Sequence, residues 1–167
     1  AHLPVLVEKL AAIVGADGPV DLAMTTNGAT MRLVADTLRE AGLRRVNISL
    51  DTLDRAKFHR MTRRDELLRV LDGIEAAKEA GFDPVKINAV IERNVNDDEI
   101  VSLATFGREQ AIEVRFIEFM PLDADGHWMN DKVVGQDEIV AAIDAVYPLE
   151  QLPARGAAPA DRFRYVD

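Results

Sequence analysis

Polar side chains gather near the ends of four segments that are otherwise largely apolar. These side chains are Thr25, Asn27, Ser49, Asp51, Lys86, Asn88, Arg115 and Glu118. A buried polar group without a partner costs about 1–3 kcal/mol, so their recurrence in four successive segments favours a shared ligand site. The lysine indicates that the ligand carries an anionic group such as a phosphate or a carboxylate.

Each of these residues also has an ordinary structural explanation. The run TTNG (25–28) contains a common turn dipeptide, Ser49 could bond a neighbouring carbonyl group, and Asp51 could cap the next segment. In VNISLD (46–51), polar residues alternate with apolar ones, which predicts a strand with one polar face. The pattern therefore predicts a ligand site without naming a reaction.

Helices that alternate with strands would position these side chains. Apolar residues at helical spacing precede Gly42 and Gly81, and each glycine is followed by a short turn and a strand. Asn96 and Glu99 resemble a capping box at the start of a third helix. Further helices are predicted at 4–13 and 136–146, and strands at 21–26, 45–50, 84–90 and 113–119.

This order of elements predicts an α/β fold built from parallel βαβ units. Two architectures fit the pattern: an open doubly wound sheet, or a section of a (β/α) barrel, since four strands are too few for a closed eight-stranded barrel. The periodicity stops after Pro148. Residues 1–148 are therefore assigned to the βα unit, and residues 149–167 to an extended arm.

The composition excludes several classes of function. The net charge of −9 disfavours binding to a nucleic-acid backbone. The chain shows no apolar run of membrane-spanning length and no signal-peptide pattern, so we expect a cytoplasmic protein without a membrane partner. It has no cysteine, so these 167 residues supply no thiolate to a zinc ion or an iron–sulfur cluster. The three histidines are too scattered to predict a metal site.

Five motifs of the chain follow the order and the spacing of one known family. They are TTNG (25–28), AGLRRVNISLDTLD (41–54), VKINAV (85–90), NDDEI (96–100) and RFIEFMPLD (115–123). The chain resembles the GTP 3′,8-cyclase family of radical S-adenosylmethionine enzymes over nearly its whole length. The resemblance implies an incomplete TIM-type (β/α) barrel with parallel strands. It also implies conversion of GTP to 3′,8-cyclo-7,8-dihydro-GTP by a 5′-deoxyadenosyl radical, in molybdopterin biosynthesis.

The resemblance also implies roles for individual residues. Ser49 and Met120 correspond to contacts with S-adenosylmethionine, and Asn88 is expected on the same side. Thr25 and Lys86 correspond to contacts with GTP, with Lys86 expected at the triphosphate. No catalytic residue or metal ligand is predicted within the chain. The residues expected to support these contacts are Asn27 and Asp51.

The family's chemistry requires cofactors whose cysteine ligands are absent from these 167 residues. It uses S-adenosylmethionine and two [4Fe–4S] clusters, whose cysteine triplets would lie before residue 1 and after Asp167. An internal fragment, a truncated gene product and a cysteine-free relative all fit this pattern. We expect the chain alone to be inactive. The alternative is a stand-alone nucleotide- or anion-binding domain, or a barrel lyase that uses Lys86 without redox chemistry.

The resemblance implies partners as well. GTP is the expected small-molecule partner, and the full-length family is expected to form a homodimer. The downstream cyclic pyranopterin monophosphate synthase is the expected pathway partner. The arm at 149–167 would lead toward the region of the second cluster. A barrel section without its first strands exposes a sheet edge and apolar faces, which predicts self-association or marginal stability.

Overall fold

The structure is a computed structural model that describes residues 2–15, 18–120, 130–154, 156 and 160–166. Its helices are α1 Leu3–Ala11, α2 Met31–Glu40, α3 Arg55–Thr62, α4 Leu67–Glu79, α5 Ile100–Gln110 and α6 Gln136–Asp144. Its strands are β1 Val14–Gly15, β2 Gly18–Pro19, β3 Ala23–Thr26, β4 Arg45–Ser49, β5 Val85–Ile91, β6 Glu113–Glu118, β7 Leu149–Gln151 and β8 Phe163–Tyr165.

A four-stranded parallel sheet forms the centre of the fold. Its strands lie in the order β3-β4-β5-β6, which is also their order along the chain. A doubly wound sheet reverses its direction at a switch point, whereas a barrel adds each new strand on the same side. The single direction of winding therefore favours the barrel section, and the predicted α/β fold with parallel strands is confirmed.

One face of the sheet is buried against the helices. Val46 and Ile48 of β4 and Ile87 of β5 are fully buried, and they belong to a cluster that includes residues of α2 and α4. A second cluster joins Ala89 of β5 to α5 and α6. Along the same strands, Asn47, Lys86 and Asn88 alternate with these residues and face the opposite side, as the pleat requires. The polar face predicted from VNISLD is thus the face that the helices leave uncovered.

The sequence patterns located most elements to within two residues but overlooked α3. That helix, Arg55–Thr62, buries only Phe58, so it has no apolar stripe to detect. Asp54 caps its start, because the Asp54 side chain accepts a hydrogen bond of 2.7 Å from the backbone N–H of Lys57. The strands β1 and β2 are too short to show a period.

The expected capping box at the third helix was wrong, although a helix is present there. The Asn96 side chain makes no capping hydrogen bond, and a 3₁₀ turn at Asp97–Glu99 precedes α5. Both Asn96 and Glu99 are buried and bond to residues outside the helix. A capping pattern and a long-range anchor use the same residue types, so the sequence did not distinguish them.

The segment predicted as an extended arm contains the antiparallel pair β7 and β8. The Tyr165 hydroxyl donates a 3.2 Å hydrogen bond to the carbonyl of Ala104 in α5. The ring of Tyr165 meets that of Tyr147 edge to face at 5.8 Å, and the Arg108 guanidinium lies over both rings. In the residues that the structure describes, this segment thus packs against the βα unit.

The fold exposes one apolar helix face and one unpaired strand edge. Helix α1 buries only Val7, while Leu6 and Ile13 near it are about half exposed. Strand β3 forms one edge of the four-stranded sheet among the described residues. No described helix is both long enough and apolar enough to cross a membrane. The exposed edge and apolar face match the sequence-based expectation, whereas self-association stays a prediction.

Candidate functional site

The polar residues of the sheet form two rows that run across the strands. The first row is Thr25 on β3, Asn47 on β4, Lys86 on β5 and Glu113 on β6. The second row is Ser49 on β4, Asn88 on β5 and Arg115 on β6. The rows are two residues apart along each strand, so they share one face and lie about 6–7 Å from each other.

The register that forms these rows is staggered. Thr25 lies near the carboxyl end of β3, yet it is level with Lys86, which is the second residue of β5. Such a stagger is what closing a sheet toward a barrel requires. The register thus brings Lys86, near the amino end of its strand, level with Thr25, near the carboxyl end of β3.

The first row contains a hydroxyl, an amide, an ammonium and a carboxylate. Asn47 Nδ2 donates to Thr25 Oγ1 at 3.4 Å, a long hydrogen bond. Lys86 Nζ donates to both carboxylate oxygens of Glu113, at 2.7 and 2.8 Å. Burial alone would raise the pKa of Glu113, but the hydrogen bonds from Lys86 and Arg115 hold that pKa below its ordinary value. Glu113 is therefore ionised at neutral pH.

The second row contains an acceptor without a donor. Asn88 Oδ1 is buried and accepts no hydrogen bond from any described residue. Its neighbours in the row are Ser49, which is exposed at the end of β4, and Arg115, whose Nε donates to Glu113 Oε1 at 2.9 Å. Buried polar atoms nearly always have a partner. A ligand with an N–H or O–H group would satisfy Asn88.

Asp51 ties the carboxyl end of β4 to β5. Its Oδ1 accepts a 2.8 Å hydrogen bond from the backbone N–H of Val90. Asn96, which is fully buried, donates to the carbonyls of Asp51 and Val90 at 2.7 and 2.9 Å. Burial raises the pKa of Asp51, and the bond from Val90 opposes that rise only in part. Asp51 thus supports the strand ends that carry Ser49 and Asn88.

Glu99 holds the loop that follows β4, a role that the sequence analysis missed. Its carboxylate accepts from the Thr52 hydroxyl at 2.6 Å and from the backbone N–H of Leu53 at 2.8 Å. Lys57 Nζ lies 3.0 Å from Glu99 Oε1. Glu99 belongs to the NDDEI motif, whose pattern predicts a helix cap as readily as a long-range anchor.

The TTNG loop is shaped by its own side chains. Thr26 Oγ1 accepts from the backbone N–H of Gly28, and Asn27 Oδ1 accepts from that of Ala29, both at 3.2 Å. Gly28 has a φ of +76°, and a Cβ there would lie 2.8 Å from Ile48 Cγ2. Asn27 therefore supports the turn after Thr25 through its side-chain oxygen.

Met120 lies outside both rows. It follows the end of β6 by two residues, and its side chain is 63% exposed. The next nine residues, 121–129, lie outside the described part of the chain. The structure therefore brings together Thr25 and Lys86 in one row and Ser49 and Asn88 in the other, but not Met120.

A cavity of about 330 Å³ lies at the amino ends of β5 and β6 and adjoins the first row at Glu113. Its lining residues include Lys78, Phe82, Asp83, Ile112 and Glu113. Thr25, Ser49, Lys86 and Asn88 do not line it. The predicted ligand residues therefore lie on the open polar face of the sheet, which meets this cavity at Glu113.

The chain is similar to one protein family and to several curated proteins. The family model described as the Radical SAM superfamily matches residues 1–107. The GTP 3′,8-cyclase of Mycobacterium ulcerans is 43% identical over 163 residues, which cover 95% of this chain and 45% of that protein. The GTP 3′,8-cyclase of Acidothermus cellulolyticus is 46% identical over 169 residues, which cover 100% of this chain and 46% of that protein. The chain thus spans about half the length of the curated relatives it matches.

A solved structure shows the same fold. HydG, a maturase of the [FeFe]-hydrogenase, superposes with a TM-score of 0.58 at 15% identity, over 86% of this chain and 35% of HydG. Together with the single direction of winding, this likeness confirms a section of an incomplete TIM-type barrel. The family match covers more than half of the residues, and the chain therefore belongs to the radical SAM superfamily.

Proposed function

We propose that the chain is the central part of a GTP 3′,8-cyclase and that its two polar rows contribute to two adjacent ligand sites. One observation carries the proposal: four of the five predicted ligand residues, all but Met120, fall into two rows that separate the two ligands. Thr25 and Lys86, assigned to GTP by resemblance, fall in the first row. Ser49 and Asn88, assigned to S-adenosylmethionine, fall in the second row. The ligand roles come from the sequence, whereas the rows come from the register of the sheet, so the two agree independently.

The first row suits a nucleotide polyphosphate. Its hydroxyl, amide and ammonium groups lie on three adjacent strands, so they span about 10 Å. That distance is comparable to the distance from a ribose to its phosphates. Lys86 supplies the positive charge that a phosphate requires, and Thr25 and Asn47 supply polar groups for a sugar. These three residues would bind and orient GTP.

The second row suits S-adenosylmethionine. The unpartnered Asn88 Oδ1 would accept from a hydroxyl or amino group of the cofactor, and the Ser49 hydroxyl would bond beside it. Bound S-adenosylmethionine supplies radical chemistry when an iron–sulfur cluster reduces it. The rows lie about 6–7 Å apart, so their residues would hold the two ligands next to each other. Met120 is proposed as a further contact from the end of β6.

These residues do not supply every group that the proposed reaction needs. The two [4Fe–4S] clusters of the family need cysteine ligands, and this chain contains none. We therefore infer that the chain alone lacks the cyclase activity. The homodimer, the cytoplasmic location and the partnership with cyclic pyranopterin monophosphate synthase stay predictions.

The alternative of a barrel lyase has less support. A Schiff-base lysine requires an apolar pocket or a neighbouring cation that favours its neutral form. Lys86 is instead paired at 2.7 Å with the carboxylate of Glu113. The pairing suits a lysine that acts as a cation.

Separate titrations of the two ligands test the proposal. In the full-length protein, we expect Lys86→Gln to weaken GTP binding about tenfold, because it removes the cation of the first row, and to leave S-adenosylmethionine binding unchanged. We expect Ser49→Ala to show the opposite selectivity. Isothermal titration calorimetry measures both affinities.

The matched control is Lys9→Gln, which removes an exposed lysine of α1. This control should leave both affinities unchanged. If Lys86→Gln and Ser49→Ala each weakened both ligands equally, the assignment of one row to each ligand would be wrong. Unchanged GTP binding in Lys86→Gln would contradict the GTP site itself.

A further inference from the structure

Glu113 is an acid in a row whose other members suit an anionic ligand. Its two carboxylate oxygens accept from Lys86 Nζ at 2.7 and 2.8 Å. Its Oε1 also accepts from Arg115 Nε at 2.9 Å. A single carboxylate therefore bridges two cations on the open face of the sheet.

Lys86 needs a counter-charge whether or not a ligand is bound. Its side chain is only 13% exposed, and an ammonium group at that depth is costly without an anionic partner. Glu113 fills that need in the structure. A phosphate beside Lys86 would fill it equally well, but it would then face the negative charge of Glu113 at short range.

Arg115 provides Glu113 with a second place to pair. The two residues lie two positions apart on β6, so their side chains share one face of the strand. Both side chains are more than 40% exposed, whereas Lys86 is enclosed. Glu113 can therefore leave Lys86 and stay paired with Arg115, without becoming a buried, unpaired charge.

We propose that Glu113 is a displaceable internal counter-ion for Lys86. In the ligand-free protein it neutralises the lysine, and when a polyphosphate binds it releases Lys86 to a phosphate oxygen and keeps Arg115 as its partner. Glu113 thereby lowers the affinity of the first row for anions. An uncharged ligand cannot replace Glu113 as the partner of Lys86, so it leaves the ion pair intact. This inference rests on the proposed assignment of Lys86 to the GTP site.

The variant Glu113→Gln tests the inference in the full-length protein. The amide keeps the shape of the side chain but not its charge, so it competes weakly for Lys86. We expect GTP and inorganic tripolyphosphate to bind about fivefold tighter by calorimetry, while guanosine binding stays unchanged. The control Glu109→Gln removes one negative charge from an exposed position on α5 and should not change the affinity for any of the three ligands.

A second measurement separates displacement from general repulsion. If Glu113 acts through Lys86, then its substitution should have less than a twofold effect in a Lys86→Gln background. An equal gain in both backgrounds would overturn the inference, because it would show repulsion of the ligand alone.

Thermal unfolding checks the ligand-free state and the folding of the variant. Glu113→Gln should melt at a lower temperature than the unaltered protein, because Lys86 loses its counter-charge. Added tripolyphosphate should restore the melting temperature.

The possible failures are distinguishable. If Lys86→Gln weakens GTP binding but Glu113→Gln fails to strengthen it, then the counter-ion role is wrong and the proposed GTP site stands. If Lys86→Gln leaves tripolyphosphate and GTP binding unchanged, the GTP site itself is wrong, and this inference fails with it.

Discussion

The partners that a polar side chain finds on the neighbouring strand determine whether its charge is stabilised. The half-buried carboxylate of Asp51 accepts a hydrogen bond from the backbone of Val90 and pairs with no cation in the described structure. A carboxylate in that position loses hydration without gaining an opposite charge. Its burial therefore raises its pKa above the ordinary value of 3.8. Ionisation of Asp51 therefore lowers the stability of the folded state.

This cause gives a pH-dependent prediction. A group whose pKa is raised by folding favours the folded state below its unfolded pKa of 3.8, and that contribution is lost as the pH rises through the folded pKa. Asp51→Asn removes the ionisation and can still accept the bond from Val90. We expect this variant to be more stable than the unaltered protein at pH 7, with the difference shrinking as the pH falls toward 3.8.

Urea unfolding at several pH values measures the effect. Asp36→Asn, at an exposed position of α2, is the matched control and should not change the pH dependence. A variant Asp51→Asn that is less stable at pH 7 would contradict the argument, since it would mean that the ionised form contributes to folding.

At the level of elements, a close approach between α4 and the TTNG loop positions Thr25. Gly73 lies in α4, and a Cβ there would be 2.2 Å from the carbonyl oxygen of Gly28 and 3.2 Å from Met31 Cβ. No side chain fits at the first distance, so the helix can pack this closely only with glycine. The loop after β3 is thereby pressed against the helix that precedes β5.

We predict that Gly73→Ala destabilises the protein by about 1–3 kcal/mol, because the helix and the loop must separate. The displaced loop should also weaken GTP binding. Denaturant unfolding and calorimetry measure the two effects. Gly15→Ala is the control, since its Cβ would lie at an ordinary contact distance of 3.6 Å from the carbonyl oxygen of Gly18. If the two variants were equally stable, the prediction would be wrong, because α4 and the loop could then move apart at no cost.

The helices show which elements a sequence pattern can detect. Helices α2 and α4 carry apolar stripes that are buried in the structure, and their positions were predicted. Helix α3 buries one apolar side chain and depends on the cap at Asp54, so its pattern is too weak. At α5 the predicted helix was present, but Asn96 and Glu99 anchor other loops and do not cap it.

At the level of the whole molecule, the exposed surfaces predict self-association. Leu6 and Ile13, in and after α1, are about half exposed, and β3 leaves an open edge among the described residues. Apolar patches and unpaired strand edges are sites of association. We expect the 167-residue chain to form oligomers at micromolar concentration, as measured by light scattering and sedimentation.

Substitution on α1 tests which surface is responsible. Leu6→Gln combined with Ile13→Gln should reduce the average mass, because it removes apolar area from that surface. Leu68→Gln, at an exposed position of α4, is the control and should have no effect. A monodisperse monomer of the unaltered chain would contradict the prediction.

Much of the architecture was predictable because its signals are local. Periods of two and 3.6 residues, together with glycines after helices, identified the four central strands and most of the helices. The antiparallel pair of β7 and β8 was not predictable in this way. Its strands are three residues long, and what holds them is the contact of Tyr165 with α5, which is distant in sequence.

The sequence by itself determined the α/β class, the positions of the parallel strands and the residue types that could hold a polar ligand. Only the tertiary structure decided that Thr25 is level with Lys86, that Ser49 is level with Asn88, and that Glu113 bridges Lys86 and Arg115. The reason is physical. Periodicity depends on neighbours along the chain, whereas register depends on how helices pack between strands that are 20–40 residues apart.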